Sequence, residues 1–137
     1  MKKINVQDVI LFVLSLSLAL GCEFVFHACG QKDDGSWMRC HWAENVVIAI
    51  GIALSVLAIS RFFISDQKIK AGLSLSFLAF SLLSAFVPGV VIPLCMIKDM
   101  RCHTIMRPSV VVISILIFIV SLMDFIVKIK NSKKGSK

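Results

Sequence analysis

Four long apolar blocks most strongly constrain how this chain of 137 residues can fold. They cover about residues 9–26, 46–64, 71–94 and 108–127, and about 20 apolar residues suffice for a helix to cross a bilayer. Hydrophobic residues make up 58% of the chain, against about 45–50% in soluble domains. Because they are gathered in blocks rather than spread at amphipathic spacing, we predict an all-α integral membrane protein, one domain over residues 1–137, with four transmembrane helices.

The ends of the blocks give further expectations about these helices. The first block follows two lysines, as a signal peptide would, but it is longer than the usual signal core and no small-x-small cleavage site follows it. We therefore expect an uncleaved first helix. Pro88, Gly89 and Pro93 predict that the third helix kinks or ends near Val87, and Pro108 suits the first turn of the fourth.

The basic residues predict an orientation. The net charge is +7, but the charges lie at the ends of the apolar blocks, which is typical of topology signals and lipid contacts rather than of nucleic-acid binding. The N-terminus, the second connector with the helix end before it, and the tail at 128–137 hold ten of the 15 Lys and Arg residues. The positive-inside rule then predicts a multi-pass membrane protein with both termini, and the basic tail, in the cytoplasm.

A four-residue motif occurs twice, once in each of the two connectors predicted to lie outside the cytoplasm. Met38-Arg39-Cys40-His41 follows Cys29, and Met100-Arg101-Cys102-His103 follows Cys95. Each half of the chain reads helix, Cys, Met-Arg-Cys-His, helix. The pattern favours two tandem two-helix repeats with the same orientation in the membrane.

The cysteines predict two disulfide-closed outer loops. The simplest pairing joins Cys29 to Cys40 and Cys95 to Cys102, and leaves out Cys22, which lies in an apolar helix end. Disulfides persist in extracytoplasmic compartments, and each bridge would contribute about 3 kcal/mol by restricting the unfolded chain. Pairing across the two loops is the alternative connectivity.

Two other interpretations give these loops chemistry. A membrane thiol oxidoreductase would use the outer cysteine pairs for redox, with Arg39 or Arg101 favouring a thiolate and His41 or His103 acting as a base. The Cys-x-x-Cys spacing that lowers a thiol pKa is missing, however. A metal or haem site would instead take ligands from the imidazoles and thiols. The candidates for ligand binding or recognition are His27, Met38, Arg39, His41, Trp42, Met100, Arg101 and His103.

Three acidic residues lie inside or beside the apolar blocks. Asp8 and Asp124 lie near inner helix ends, where they can reach headgroups or neighbouring lysines, and neither is central enough to indicate a proton path. Glu23 lies close to the outer boundary, where an interfacial position is expected.

The loop motifs resemble those of a family. His27-Ala28-Cys29 with Met38-Arg39-Cys40-His41-Trp42, and Cys95 with Asp99-Met100-Arg101-Cys102, are similar to a bacterial membrane-protein family of unknown function, domain-of-unknown-function family 4418. The resemblance covers nearly the whole chain. It implies a four-helix protein of the bacterial cell (inner) membrane and an association with ABC-type permeases. It implies no activity, cofactor or catalytic residue.

The leading hypothesis for function is a non-enzymatic accessory or interaction subunit of a larger membrane complex, such as an ABC-type transporter. Four helices and two short loops contain few residues that could form an independent catalytic site. The partners expected are the lipid bilayer and another integral membrane protein, with no cofactor and no nucleic acid.

Overall fold

The computed structural model describes residues 5–25, 31, 33–37, 39–93 and 102–136, and only the backbone of Cys40 and Cys102. The described part contains four α-helices, and π-helical turns follow the first and precede the last. Four helical segments are long and apolar enough to cross a membrane, and the first of them, Val6–Val25, includes the π-helical turn. This confirms the all-α architecture with four spans and implies contact with a lipid bilayer. The helices are α1 (Val6–Leu20), α2 (Arg39–Phe63), α3 (Gln67–Phe86) and α4 (Arg107–Gly135), and the π-helical turns are Gly21–Val25 and Cys102–Met106.

Each helix buries one narrow seam of side chains. Steps of three and four residues alternate along the seams, which is the heptad spacing of left-handed supercoiled bundles. In α1 the seam is Asp8, Leu11, Ser15 and Leu18; in α3 it is Lys70, Ser74, Phe77, Ser81 and Ser84; in α4 it is Val110, Ser114, Ile117, Ser121, Asp124 and Lys128. In α2 the buried residues include Ala43, Val47, Ile50, Leu54, Ala58 and Arg61, with one extra step of four.

The helices form a four-membered bundle of two hairpins. α1 packs on α2 and α3 packs on α4, while α4 contacts α1 and α2 contacts α3. The starts of α1 and α3 and the ends of α2 and α4 meet at one end, which we call the basic end. At the opposite end, the loop end, Cys22, Ala43, Val87 and Met106 meet in the apolar core. Both hairpins cross the bundle in the same sense, as a tandem repeat requires; their duplication stays a prediction.

The helix bounds differ from the sequence expectation in ways that packing explains. α2 starts at Arg39 rather than near residue 46, because Ala43 and Val47 continue its buried seam. The first Met-Arg-Cys-His motif therefore enters a helix instead of lying wholly in a loop. α3 ends at Phe86, next to Val87, where the prolines and glycine predicted a kink or an end, so the helix is shorter than the apolar block that reaches 94. A turn at Pro88–Ile92 follows, in which Gly89 has a φ of 104°. α4 continues past 127 to Gly135, so the basic tail extends the helix.

A close approach of α1 and α2 depends on Gly51. A Cβ atom built on Gly51 would lie 2.9 Å from the Cβ of Ala19 and 3.0 Å from its backbone. Small residues at such positions let helix backbones approach in lipid, where dispersion contacts drive association. Gly72 on α3 has the opposite environment, since a Cβ there meets nothing within 4 Å.

We predict that Gly51→Val separates α1 from α2 and lowers the free energy of unfolding in mixed micelles by about 1–3 kcal/mol, the usual effect of overpacking. Gly72→Val is the matched control, because it adds the same side chain to open space; its effect should stay within about 1 kcal/mol. Equal effects of the two substitutions would contradict the close approach at Gly51.

Candidate functional site

A fully buried arginine lies at the basic end of the bundle. Arg61 belongs to the last turn of α2 and is 0% exposed. A charged group in or near the hydrocarbon region is tolerated when it faces the bundle interior and has partners there. Asp8 from α1 accepts a hydrogen bond from Arg61 Nε at 2.9 Å, and Asp124 from α4 accepts one from Arg61 Nη2 at 2.5 Å. One guanidinium therefore joins three helices.

The remaining helix contributes through Ser74 and Lys70 of α3. Arg61 Nη1 donates to Ser74 Oγ at 3.1 Å, and Ser74 Oγ lies 2.5 Å from Asp124 Oδ2. Lys70 Nζ donates to Asp8 Oδ2 at 3.1 Å. The planar fork of arginine suits such a multiple arrangement, because its donors point to several acceptors at once.

Lys128 of α4 completes the arrangement. Its Nζ donates to Asp124 Oδ2 at 2.7 Å, one turn back along the same helix, and lies 3.7 Å from Asp8 Oδ1. We call the buried residues Asp8, Arg61, Lys70, Ser74, Asp124 and Lys128 the ionic cluster. With every group ionised, three cations face two carboxylates, so the cluster has one surplus positive charge. Phe77 adds an aromatic ring 5.7 Å from Arg61 Cζ, within range of a cation–π contact.

A line of buried serines continues from the ionic cluster between α3 and α4. Ser84 and Ser114 share a hydrogen bond of 2.7 Å across the two helices, and Ser81 donates to a carbonyl of its own helix. Among the described atoms, Ser121 Oγ and Asp124 Oδ1 are buried without a hydrogen-bond partner. The small side chains allow the close packing of this hairpin.

Only part of the ionic cluster could be predicted from the sequence. Asp8 and Asp124 lie near the predicted helix ends and contact the neighbouring lysines, but they are buried and also bind Arg61 rather than headgroups. For Arg61, the sequence predicted only a contribution to the orientation in the membrane, as one of the ten basic residues on the inner side. The missed signal is the heptad seam, in which Asp8 occupies the position one turn before Leu11, and Asp124 and Lys128 continue the seam of α4.

Most residues singled out in the two loops lie outside the described part of the chain. These are His27, Cys29, Met38, Cys95, Met100 and Arg101, and the side chains of Cys40 and Cys102. Both predicted disulfides therefore stay predictions. The described cysteine, Cys22, is a buried free thiol. In residues 5–25, 31, 33–37, 39–93 and 102–136, no group of three His, Cys, Asp or Glu side chains is placed to hold a metal ion.

The first loop motif forms an aromatic cluster at the start of α2. The rings of Trp37 and His41 stack at a centroid distance of 4.2 Å, and Trp42 lies edge-on to His41 at 6.3 Å. Asn45 Nδ2 lies 3.2 Å from His41 Nε2, and Glu44 Oε2 lies 3.9 Å from His41 Nδ1. Trp37 is 52% and Trp42 60% exposed. We call Trp37, His41 and Trp42 the aromatic patch.

The other described candidates have separate positions. Arg39 is exposed in the first turn of α2, beside the aromatic patch. His103 lies in the π-helical turn before α4 and is partly buried. Glu23 is exposed in the π-helical turn after α1, and its interfacial position stays a prediction.

Comparisons with known proteins agree with the loop motifs. A family model described as a domain of unknown function (DUF4418) matches residues 11–127, which confirms the resemblance drawn from the sequence. Neither the comparison with curated proteins nor that with solved structures gave a match.

We predict that Asp124→Asn destabilises the protein strongly, because it raises the surplus charge of the ionic cluster from one to two. Removing one partner of a buried ion pair lowers the free energy of unfolding by about 3–5 kcal/mol. The matched control is Asp66→Asn, an exposed carboxylate without a capping hydrogen bond, with an expected effect within about 0.5 kcal/mol.

A second substitution tests whether the loss of stability comes from the surplus charge or from the changed shape of the side chain. Adding Lys128→Met to Asp124→Asn returns the surplus to one, so we expect it to restore a large part of the lost stability. Unfolding midpoints of the single and double variants in mixed micelles measure this. A double variant less stable than Asp124→Asn would contradict the electrostatic account.

Proposed function

The chain belongs to the family described as a domain of unknown function (DUF4418), and that description assigns no activity. From the contacts of the chain itself, we propose that it is a non-enzymatic accessory or interaction subunit of a larger membrane complex. The observation that carries this proposal is the aromatic patch. Exposed Trp37 and Trp42 flank a stacked histidine at one end of the bundle. Tryptophan and arginine are enriched among the residues that dominate binding energy at protein interfaces.

The interior of the bundle supports a structural rather than a catalytic role. The charged groups of the ionic cluster bind one another and join all four helices. Arg61, the largest of the fully buried side chains, thus uses its donors on the protein itself. A stable four-helix body with a recognition surface at one end suits a subunit that attaches to another membrane protein.

The proposed location is a bacterial cell membrane with both termini in the cytoplasm. The ten Lys and Arg residues on the predicted inner side belong to the N-terminus, the α2–α3 connection and the end of α4. The described parts of these segments meet at the basic end. The positive-inside rule therefore assigns that one end of the bundle to the cytoplasm. The aromatic patch then lies outside, at the headgroup level where tryptophan is favoured.

The outer loops are proposed to be closed by Cys29–Cys40 and Cys95–Cys102. An extracytoplasmic position permits disulfides, and each bridge would hold one loop across the end of its hairpin. Restricting the loops would keep the aromatic patch in one conformation, which favours binding because less conformational entropy is lost.

An ABC-type permease is the partner class that we propose. The motivation is the small size of the chain, which has four spans and short connections, together with the kind of neighbour implied by the family resemblance. A permease offers a lateral helical surface and an outer rim that the bundle and the aromatic patch can contact together.

We predict that the tagged protein, extracted from its native membrane in a mild detergent, co-purifies with a permease in a fixed ratio. Trp37→Ala with Trp42→Ala should lower the affinity at least about tenfold, because interface hot spots contribute about 2 kcal/mol or more. The control is Ile52→Ala with Val56→Ala, which removes similarly exposed side chains from the middle of the same helix. Recovery of the chain without any stoichiometric partner would contradict the proposal.

A second prediction concerns the cysteines. Intact mass after alkylation under non-reducing, denaturing conditions should show one modified thiol, Cys22, and two bridges that resist mild reductant. Peptide mapping then gives their pairing. Bridges that are readily reduced and that transfer to a dithiol substrate would favour the thiol oxidoreductase, and four free thiols with bound metal or haem would favour the ligand-binding alternative.

A further inference from the structure

We propose that a groove at the basic end binds the phosphate headgroup of one anionic phospholipid. The groove lies between the start of α3 and the end of α4 and has a volume of about 630 Å³. A neighbouring recess of about 480 Å³ continues it along α4. We call the two together the basic groove. Lys68 and Ser132 line both parts, and Lys133 and Ser136 line the second.

The depth of the basic groove places it at the level of the lipid headgroups. α4 has 29 residues and contains Pro108 at its start, and about 20 residues cross the hydrocarbon core. The core therefore ends near Lys128, and the following turns of α4, which line the groove, lie among the headgroups. Ile69, whose side chain is exposed, lines the groove at the start of α3.

The charges at the basic groove favour an anion. Lys68 and Lys133 are exposed on its walls, and Asp66 is the acidic residue among the side chains that line it. Lys70 follows Lys68 by two residues on α3, and Lys128 lies one turn before the part of α4 that lines the groove. Both belong to the ionic cluster, which has one surplus positive charge when all its groups are ionised. The charges of the wall side chains and those of the ionic cluster therefore each sum to a positive value, which favours an anion in the basic groove.

The donors in the groove match phosphate oxygens. Lysine ammonium groups and serine hydroxyls donate hydrogen bonds, and the amides of Gln67 and Asn131 add further donors. Ammonium-to-phosphate bonds are charge-assisted and so are stronger than bonds between neutral groups. A headgroup with a net negative charge satisfies this set, whereas a zwitterionic headgroup brings its own cation into a site that is already positive.

The helix surface above the groove distinguishes a lipid from free phosphate. Ile69 and Gly72 lie one turn apart on α3, on the same face of the helix, and a Cβ on Gly72 would meet nothing within 4 Å. An acyl chain can therefore lie along α3 from the groove toward the bilayer core. Free phosphate would accept hydrogen bonds from the donors in the groove but would make no contact with the face of α3 that contains Ile69 and Gly72.

The test is a native mass-spectrometry titration of the full chain in detergent micelles. Phosphatidylglycerol, phosphatidylcholine and inorganic phosphate are added separately. We expect one phosphatidylglycerol to be retained, with phosphatidylcholine at least about tenfold weaker. Lys68→Gln and Lys133→Gln should each weaken phosphatidylglycerol about fivefold, which corresponds to about 1 kcal/mol for each basic residue near anionic lipid.

Lys134→Gln is the matched control, because it removes the same charge from the neighbouring residue of α4, outside the walls of the groove. Its effect should stay below about twofold. Circular dichroism melting establishes that the variants stay folded. Equal losses for Lys133→Gln and Lys134→Gln would show diffuse attraction and overturn the proposal. Equal binding of phosphatidylcholine, or saturation of the groove by millimolar inorganic phosphate in competition with lipid, would overturn it as well.

Discussion

The bundle depends on the burial of one guanidinium among carboxylates from two other helices. In a bilayer, the hydrophobic effect does not drive one helix onto another, so packing and polar contacts between helices must do so. Arg61 of α2 binds Asp8 of α1 and Asp124 of α4, and Ser74 of α3 accepts from it. Separating any of these helices would leave a buried charge without its partner. The ionic cluster therefore fixes the register of all four helices at the basic end.

The two ends of the bundle are held by different interactions. At the loop end the buried residues include Cys22, Ala43, Val87 and Met106 of the apolar core together with one charged residue, Glu44. The dispersion contacts of an apolar core are individually weak. The proposed disulfides would give that end a covalent constraint comparable to the ionic cluster at the other. A bundle fixed at both ends can present the aromatic patch rigidly, since Trp37 and His41 stack at the first turn of a helix that Arg61 holds at its last turn.

The sequence predicted the spans well and the ionic cluster poorly, for physical reasons. Four apolar blocks suffice to specify spanning helices, because the bilayer sets their length and leaves helices as the simplest way to satisfy the backbone. The partners of Arg61 are 53 and 63 residues away, so their contact depends on helix order and rotation, which hydropathy does not encode. The start of α2 was missed for a related reason: the turn from Arg39 to Asn45 is polar on its outer face, and its helical character comes from Ala43 packing in the core.

The surplus charge of the ionic cluster connects stability with the surrounding lipid. Two carboxylates balance two of the three buried cations, so the third increases the positive potential at the start of α3 and the end of α4. An anionic headgroup in the basic groove would balance it from outside without entering the core. A ligand that binds only the folded state stabilises that state according to its concentration and affinity, so anionic lipid would act as a further member of the cluster. Under this arrangement the stability of the basic end follows the composition of the leaflet it faces, and a zwitterionic leaflet leaves Arg61, Lys70 and Lys128 with their two carboxylates alone.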